Sequence, residues 1–161
     1  MTPIIRVATV SDASAICNLL IRSIRELCIA DHHGDERVLS VWLEGKTPEK
    51  MAQWIASREI ITIVCTLNES VVGVASIGLD GYVHLCYVDP DHIGKGIGQK
   101  MLLELLRIAK VHQNDTLRLI STATARAFYQ KNGFIGSGKP TRCFGIPGYP
   151  MSKDVNFPVR G

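Results

Sequence analysis

The chain has 161 residues, a length that predicts one domain over 1–161. Hydrophobic residues make up 46 % and charged residues 20 %, which excludes a disordered chain. A net charge of +3 is too small to imply a nucleic-acid partner, though it leaves room for a local basic pocket.

Ile4 to Ala8 reads as a first strand. Ser11 or Asp12 suits a helix cap, and Ile16, Leu19, Leu20, Ile24 and Leu27 recur at helical spacing. These predict a helix from 12 to about 30, ended by His32-His33-Gly34-Asp35. Glu36–Leu43 reads as a second helix. Thr47-Pro48 pairs a capping residue with a first-turn proline, opening a third helix over Glu49–Arg58. Strands follow over Ile60–Leu67, Val71–Leu79 and Tyr82–Asp89, separated by the turn signals Asn68-Glu69 and Asp80-Gly81. After Pro90 comes a glycine-rich turn and a helix from Gly94 to about His112. A strand (Thr116–Ile120), a helix (Thr124–Asn132) stopped by Gly133, and two short strands near Phe134–Ser137 and Tyr149–Val155 complete the chain.

The first residues lack the basic and apolar regions of a signal peptide, and the apolar runs are strand-length, so no membrane association is expected. Five cysteines at long spacing, with no C-x-x-C, argue against a disulfide framework or a zinc site. A reducing cytoplasm is the expected location.

Two stretches could carry chemistry. Residues Tyr82 to Lys100 place a strand, the turn Gly94-Lys95-Gly96-Ile97-Gly98 and a helix start in immediate succession. A helix N-terminus presents free N–H groups, and glycines let an anion approach them, which suits a phosphate or pyrophosphate. The alternative is a tight loop shaped by glycine alone. A dinucleotide fingerprint would need glycine where Gln99 stands, and a nucleotide P-loop ending at Gly45-Lys46-Thr47 would need glycine where Ser40 stands. The second stretch, Ser121 to Phe134, is a short helix with an aromatic pair. By packing alone, Phe128 and Phe134 would be buried and Tyr129 half buried.

Together these stretches resemble the GCN5-related N-acetyltransferase (GNAT) superfamily. Val88-x-Pro90 with Ile93-Gly94-Lys95-Gly96-Ile97-Gly98 is similar to its acetyl-CoA pyrophosphate loop. Ala125-x-x-Phe128-Tyr129-x-x-x-Gly133-Phe134 is similar to its later motif. The resemblance implies an α/β fold with a mixed, mostly antiparallel sheet of about six or seven strands, flanked by helices and splayed at the acyl-CoA site. It implies direct acetyl transfer from acetyl-CoA, with no metal, to a small-molecule or peptide amine in a ternary complex. Tyr87 and Val88 would meet the pantetheine arm, and Val88 N–H would hold the acetyl carbonyl. Ile93, Gly94, Lys95, Gly96, Ile97, Gly98 and Gln99 would cradle the pyrophosphate through their backbone. Thr122, Ala125 and Phe128 belong to the same cofactor set, and Tyr129 would protonate the departing thiolate.

Two departures stand out. Asp91 takes a place usually held by Gln or Arg, and Thr122 takes that of an Asn. Many members also carry a Glu base near the start of the strand ending at Val88, where Tyr82 stands here. His84 is the candidate base beside it, with Tyr82 the second catalytic candidate, since alternation predicts that His84 shares a face with Tyr82, Cys86 and Val88. Cys86 reads as a buried apolar thiol. His32, His33, Asp35 and Glu36 read as a solvated loop. A non-catalytic acyl-CoA-binding or sensor module is the alternative reading, and homodimerisation is left open.

Overall fold

The computed structural model describes residues 2–156. In chain order the elements are β1 (Ile4–Val7), α1 (Ala13–Leu27), α2 (Ile29–His32), α3 (Glu36–Leu43), α4 (Pro48–Ala56), β2 (Ile60–Leu67), β3 (Ser70–Gly78) and β4 (Val83–Val88). There follow α5 (Ile97–Val111), β5 (Thr116–Ser121), α6 (Arg126–Lys131), β6 (Ile135–Gly136), β7 (Thr141–Cys143) and β8 (Ile146–Asp154). Strands β1-β2-β3-β4 form one antiparallel sheet in that order. In the second sheet, β8 pairs antiparallel with β5, β6 and β7. This is the expected α/β architecture with antiparallel sheets flanked by helices.

Both faces of the first sheet are covered. Ile63, Ala75, Ile77 and Val83 pack with Met101, Leu105 and Ala109 of α5 on one face. Val64, Val74 and Leu85 pack with Ile16, Leu20 and Met51 of α1 and α4 on the other. That is why β2 reads as a continuous apolar run rather than as an alternating strand. A third cluster (Ile24, Cys28, Leu39, Trp42 and Ile146) ties α1 and α3 to the start of β8.

Several expectations need correction. The first helix is not continuous to residue 30, because it breaks at Cys28. His32 and Asp31 are buried, at 2 % and 6 % exposure, so this segment is not a solvated loop throughout. Nε2–H of His32 donates to the Ile24 carbonyl at 3.0 Å and the Arg25 carbonyl at 3.2 Å. Its Nδ1 accepts from Gly34 N–H at 2.9 Å. The ring therefore bonds carbonyls in the last turn of α1, adding to the Cys28 N–H that the Ile24 carbonyl already accepts. Later elements differ too. α5 begins at Ile97 rather than Gly94, α6 begins at Arg126 rather than Thr124, and β7 was not anticipated. Phe144 (φ 54°) and Gly145 (φ 78°) turn β7 directly into β8, so the described residues hold eight strands. Nothing in Phe-Gly signals that turn as Asn-Gly would. Among the described residues no helix is long and apolar enough to cross a membrane.

Asp12 does not cap α1 with its side chain. It instead takes a bidentate pair from Arg6 at 2.8 and 2.9 Å and accepts Thr9 N–H at 2.8 Å, fastening β1 to the helix entry. The Arg6 hydrogen bonds are the main reason its carboxyl falls from 3.8 to about 2. The folded state thus favours the charged form. Its contribution to stability is complete above the unfolded value and is lost as pH falls from about 4 to about 2. In acid-unfolding titrations, Asp12→Asn should lower stability near neutral pH. The difference from the parent should shrink as the pH falls through that window.

Candidate active site

Strands β4 and β5 run side by side, but among the described residues their backbones are joined by one bridge, at the residue just before β4. Tyr82 and Arg118 form an isolated parallel bridge, and Arg118 N–H donates to the Gly81 carbonyl at 3.0 Å. Beyond it the two strands part around a cavity of about 600 Å³, into which α1, α5 and α6 also project. Asp89 N–H donates to the Val72 carbonyl on β3. Alternation then turns Val88 N–H the opposite way, toward the open edge.

The glycine turn forms the rim. Gly94 and Gly96 adopt φ of 76° and 77°, in open space where a Cβ would touch nothing within 4 Å. Their conformation therefore demands glycine, and crowding does not. Gly98 differs, because a Cβ there would lie 2.9 Å from Cζ of Phe128. It admits the ring that lines the cavity. The first backbone bond of α5 runs from Lys100 N–H to the Gly96 carbonyl. The N–H groups of Ile97, Gly98 and Gln99 thus have no intrahelical partner and carry the positive end of the dipole. Ile93 and Lys95 stand exposed beside them. Asp91 points away, its carboxylate held by Arg22 at 3.1 Å, so it puts no charge against an anion at the rim.

The cavity floor is aromatic. Tyr129 is buried while Phe128 is only half buried, the reverse of the packing expectation. Tyr129 lies between Phe128 and Phe134, tilted to the first and edge-on to the second, with ring centres 5.3 and 5.4 Å away. Burial raises its phenol well above the ordinary value, with Cys86 and Tyr87 adding to the effect. Burial likewise pushes the Cys86 thiol up to about 12 and raises the Tyr87 phenol. Thr122 and Ala125 line the same wall, where the Thr122 hydroxyl accepts Ala125 N–H at 3.1 Å.

His84 lines the cavity and keeps its contact with Tyr82, but it does not share the predicted face with Cys86 and Val88. Ser76 pairs with Leu85 and Ile77 with Val83, so His84 is an extra, bulged residue of β4. The bulge breaks the alternation. Val83, Cys86 and Val88 pack toward α5, whereas the His84 ring meets Trp54 of α4 at 5.1 Å and Tyr82 at 4.8 Å. Its imidazole is lowered from 6.5 by burial, with Asp80 opposing. Gly78 makes that approach feasible, since a Cβ there would lie 2.5 Å from Asp80 Oδ1 and 3.4 Å from His84 Nε2. Tyr82 stays near the bridge, with Arg118 over its ring.

Sequence reasoning missed several lining residues, among them Ser23, Leu27, Cys28 and His92. His92 faces the cavity and donates from Nδ1 to Asp89 Oδ2 at 2.6 Å, while Asp89 Oδ1 takes Arg22 at 2.6 Å. The available signal was the three-residue spacing of Asp89 and His92 around Pro90, which folds into one 3₁₀ turn. Among the described residues no three His, Cys, Asp or Glu side chains gather as a metal site would require.

Residues 29–155 match the family described as acetyltransferase (GNAT) domain. The chain belongs to the GNAT acetyltransferase family. Its fold is similar to a GNAT protein from Rhodopseudomonas palustris, with 24 % identity, 96 % of each chain covered and a TM-score of 0.84. It is also similar to the PaiA N-acetyltransferase of Thermoplasma acidophilum, solved with coenzyme A. There the identity is 21 %, coverage 96 % of this chain and 99 % of that one, and the TM-score 0.81. A third likeness is YncA of Salmonella typhimurium, solved with acetyl-CoA, at 22 % identity, 97 % and 95 % coverage and a TM-score of 0.72. Among curated proteins none matches the sequence.

The GNAT cleft thus depends on a ring seated against a glycine. Gly98→Ala should push Phe128 aside and cost about 1–3 kcal/mol in denaturant unfolding. A variant as stable as the parent would show that the ring moves freely.

Proposed function

We propose that this protein transfers acetyl directly from acetyl-CoA to an amine, in a ternary complex and without a covalent enzyme intermediate. The observation that carries this reading is one cavity that holds three things together: an unpaired helix N-terminus at its rim, an open strand edge along its wall and a buried phenol at its floor. The free N–H groups of Ile97 to Gln99, with Gly94 and Gly96, suit the pyrophosphate. The open edge at Tyr87 and Val88 suits the amide-bearing pantetheine arm. Val88 N–H then donates to the acetyl carbonyl and to the oxyanion that forms when the amine attacks.

When the tetrahedral intermediate collapses, the C–S bond breaks and the sulfur needs a proton. Tyr129 supplies it. Its raised value is no obstacle, because Cys86 shows what the same surroundings do to a thiol. Burial pushes Cys86 up to about 12, and a departing thiolate there is desolvated in the same way. Donor and acceptor of the proton are raised together.

The amine must arrive as the free base or lose a proton before attack. His84, beside Tyr82 and Trp54, is the base in this reading, directly or through water. Its lowered value keeps it neutral, and so able to accept a proton, at neutral pH. The acceptor is a small-molecule or peptide amine. The five free thiols support a reducing compartment such as the cytoplasm.

CoA release across an amine panel tests transfer, while calorimetry with acetyl-CoA tests binding. Binding with no turnover on any amine would make the chain an acyl-CoA sensor. Tyr129→Phe should keep acetyl-CoA affinity and lower kcat by about 10²–10⁴. Full turnover with chemistry rate-limiting would return Tyr129 to packing. The acid limb of kcat/KM should lie below the ordinary imidazole value of 6.5 and vanish in His84→Ala. A profile overlaying the parent would remove His84 from proton transfer.

A further inference from the structure

Asp31 lies on α2, outside every motif that marks the site, and is buried at 6 % exposure. Its partners all come from one distant segment. Oδ1 accepts Ala123 N–H at 2.7 Å, and Oδ2 accepts Thr124 N–H at 3.2 Å together with the Thr124 hydroxyl. Among the described residues it forms no ion pair. A buried carboxylate is costly to desolvate, and here the cost is offset only by donors that lie in the loop entering α6.

That loop needs an outside hold. α6 has six residues and no side-chain cap of its own. A helix this short has little stability by itself, so its position depends on what grips its ends. Asp31 takes the N–H groups just ahead of it, and Tyr129 N–H bonds to the Ala125 carbonyl at 3.1 Å, one turn further on. At the other end, His32 locks α2 onto the last carbonyls of α1, whose Ser23, Leu27 and Cys28 line the same cavity. The carboxylate therefore joins the two walls of the cleft.

We propose that Asp31 is a positioning residue: by tying α2 to the 123–124 loop it sets the start of α6 and thereby the place of the Tyr129 hydroxyl in the cavity. The kinetic side of this inference rests on the reading of Tyr129 as the acid. The positional side does not.

The test combines steady-state kinetics with fluorine NMR of fluorotyrosine-labelled protein, the Tyr129 resonance being assigned from Tyr129→Phe. In Asp31→Asn an amide N–H faces the donors, so at least one acceptor is lost. This variant should lower kcat by about tenfold or more, keep KM for acetyl-CoA within about threefold, and shift or broaden the Tyr129 resonance. Thr124→Ala removes only the hydroxyl and should move both readouts the same way by less. In the Tyr129→Phe background, Asp31→Asn should lower kcat by no more than about twofold further. An unmoved resonance, or an equal fall in kcat in both backgrounds, overturns the proposal. Should Asp31→Asn fail to fold, Thr124→Ala decides by the same two readouts. Full turnover in Tyr129→Phe would sink the acid reading instead. The resonance then decides alone, with a shift supporting the clamp and its absence overturning it.

Discussion

The site depends on one broken pairing. β4 and β5 lie beside each other, meet at a single bridge between Tyr82 and Arg118, and then separate. Separation leaves backbone N–H and C=O groups of β4 without a strand partner, and buried groups of that kind need one. An extended, amide-bearing ligand can supply it by pairing with the open edge. The same separation opens the space that α6 closes from below with Tyr129 and that the first turn of α5 borders from above. With full pairing between the two strands, none of these groups would share a cavity.

Burial then sets the chemistry. Tyr129, Cys86 and Tyr87 all hold their protons more tightly than in water, and in each case desolvation is the largest cause. A phenol and a thiol raised together remain matched partners for a proton. His84 sits toward the α4 side of β4, where partial burial against Trp54 and Tyr82 lowers its value. The Tyr129 phenol and the His84 imidazole thus lie against opposite faces of one strand. What separates them is the bulge at His84, a single extra residue relative to β3.

The charged groups nearest the glycine turn are paired with one another. Asp89 is held between Arg22 and His92, and Asp91 is drawn outward by Arg22. Asp89 and Asp91, the carboxylates that precede the glycine turn, are therefore both engaged by Arg22. On the far wall, Asp31 fulfils a different need by gripping the loop ahead of a helix too short to hold itself.

The sequence by itself determined the order of most strands and helices, the glycine turn between β4 and α5 and the Phe128-Tyr129 helix. Each of these is a local matter of periodicity, capping or positive φ, and so is written in neighbouring residues. Only the tertiary structure decided the parting of β4 from β5, the face of His84, the burial of Asp31 and His32, and the β7–β8 turn. A bulge shows only against the partner strand's register. Buried polar groups become intelligible only beside donors or carbonyls brought in by the fold, as Asp31 is beside Ala123 and Thr124. The two roles of glycine separate for the same reason. Gly96 is required by its own backbone angle, Gly98 by a ring that arrives from a helix thirty residues downstream in the chain.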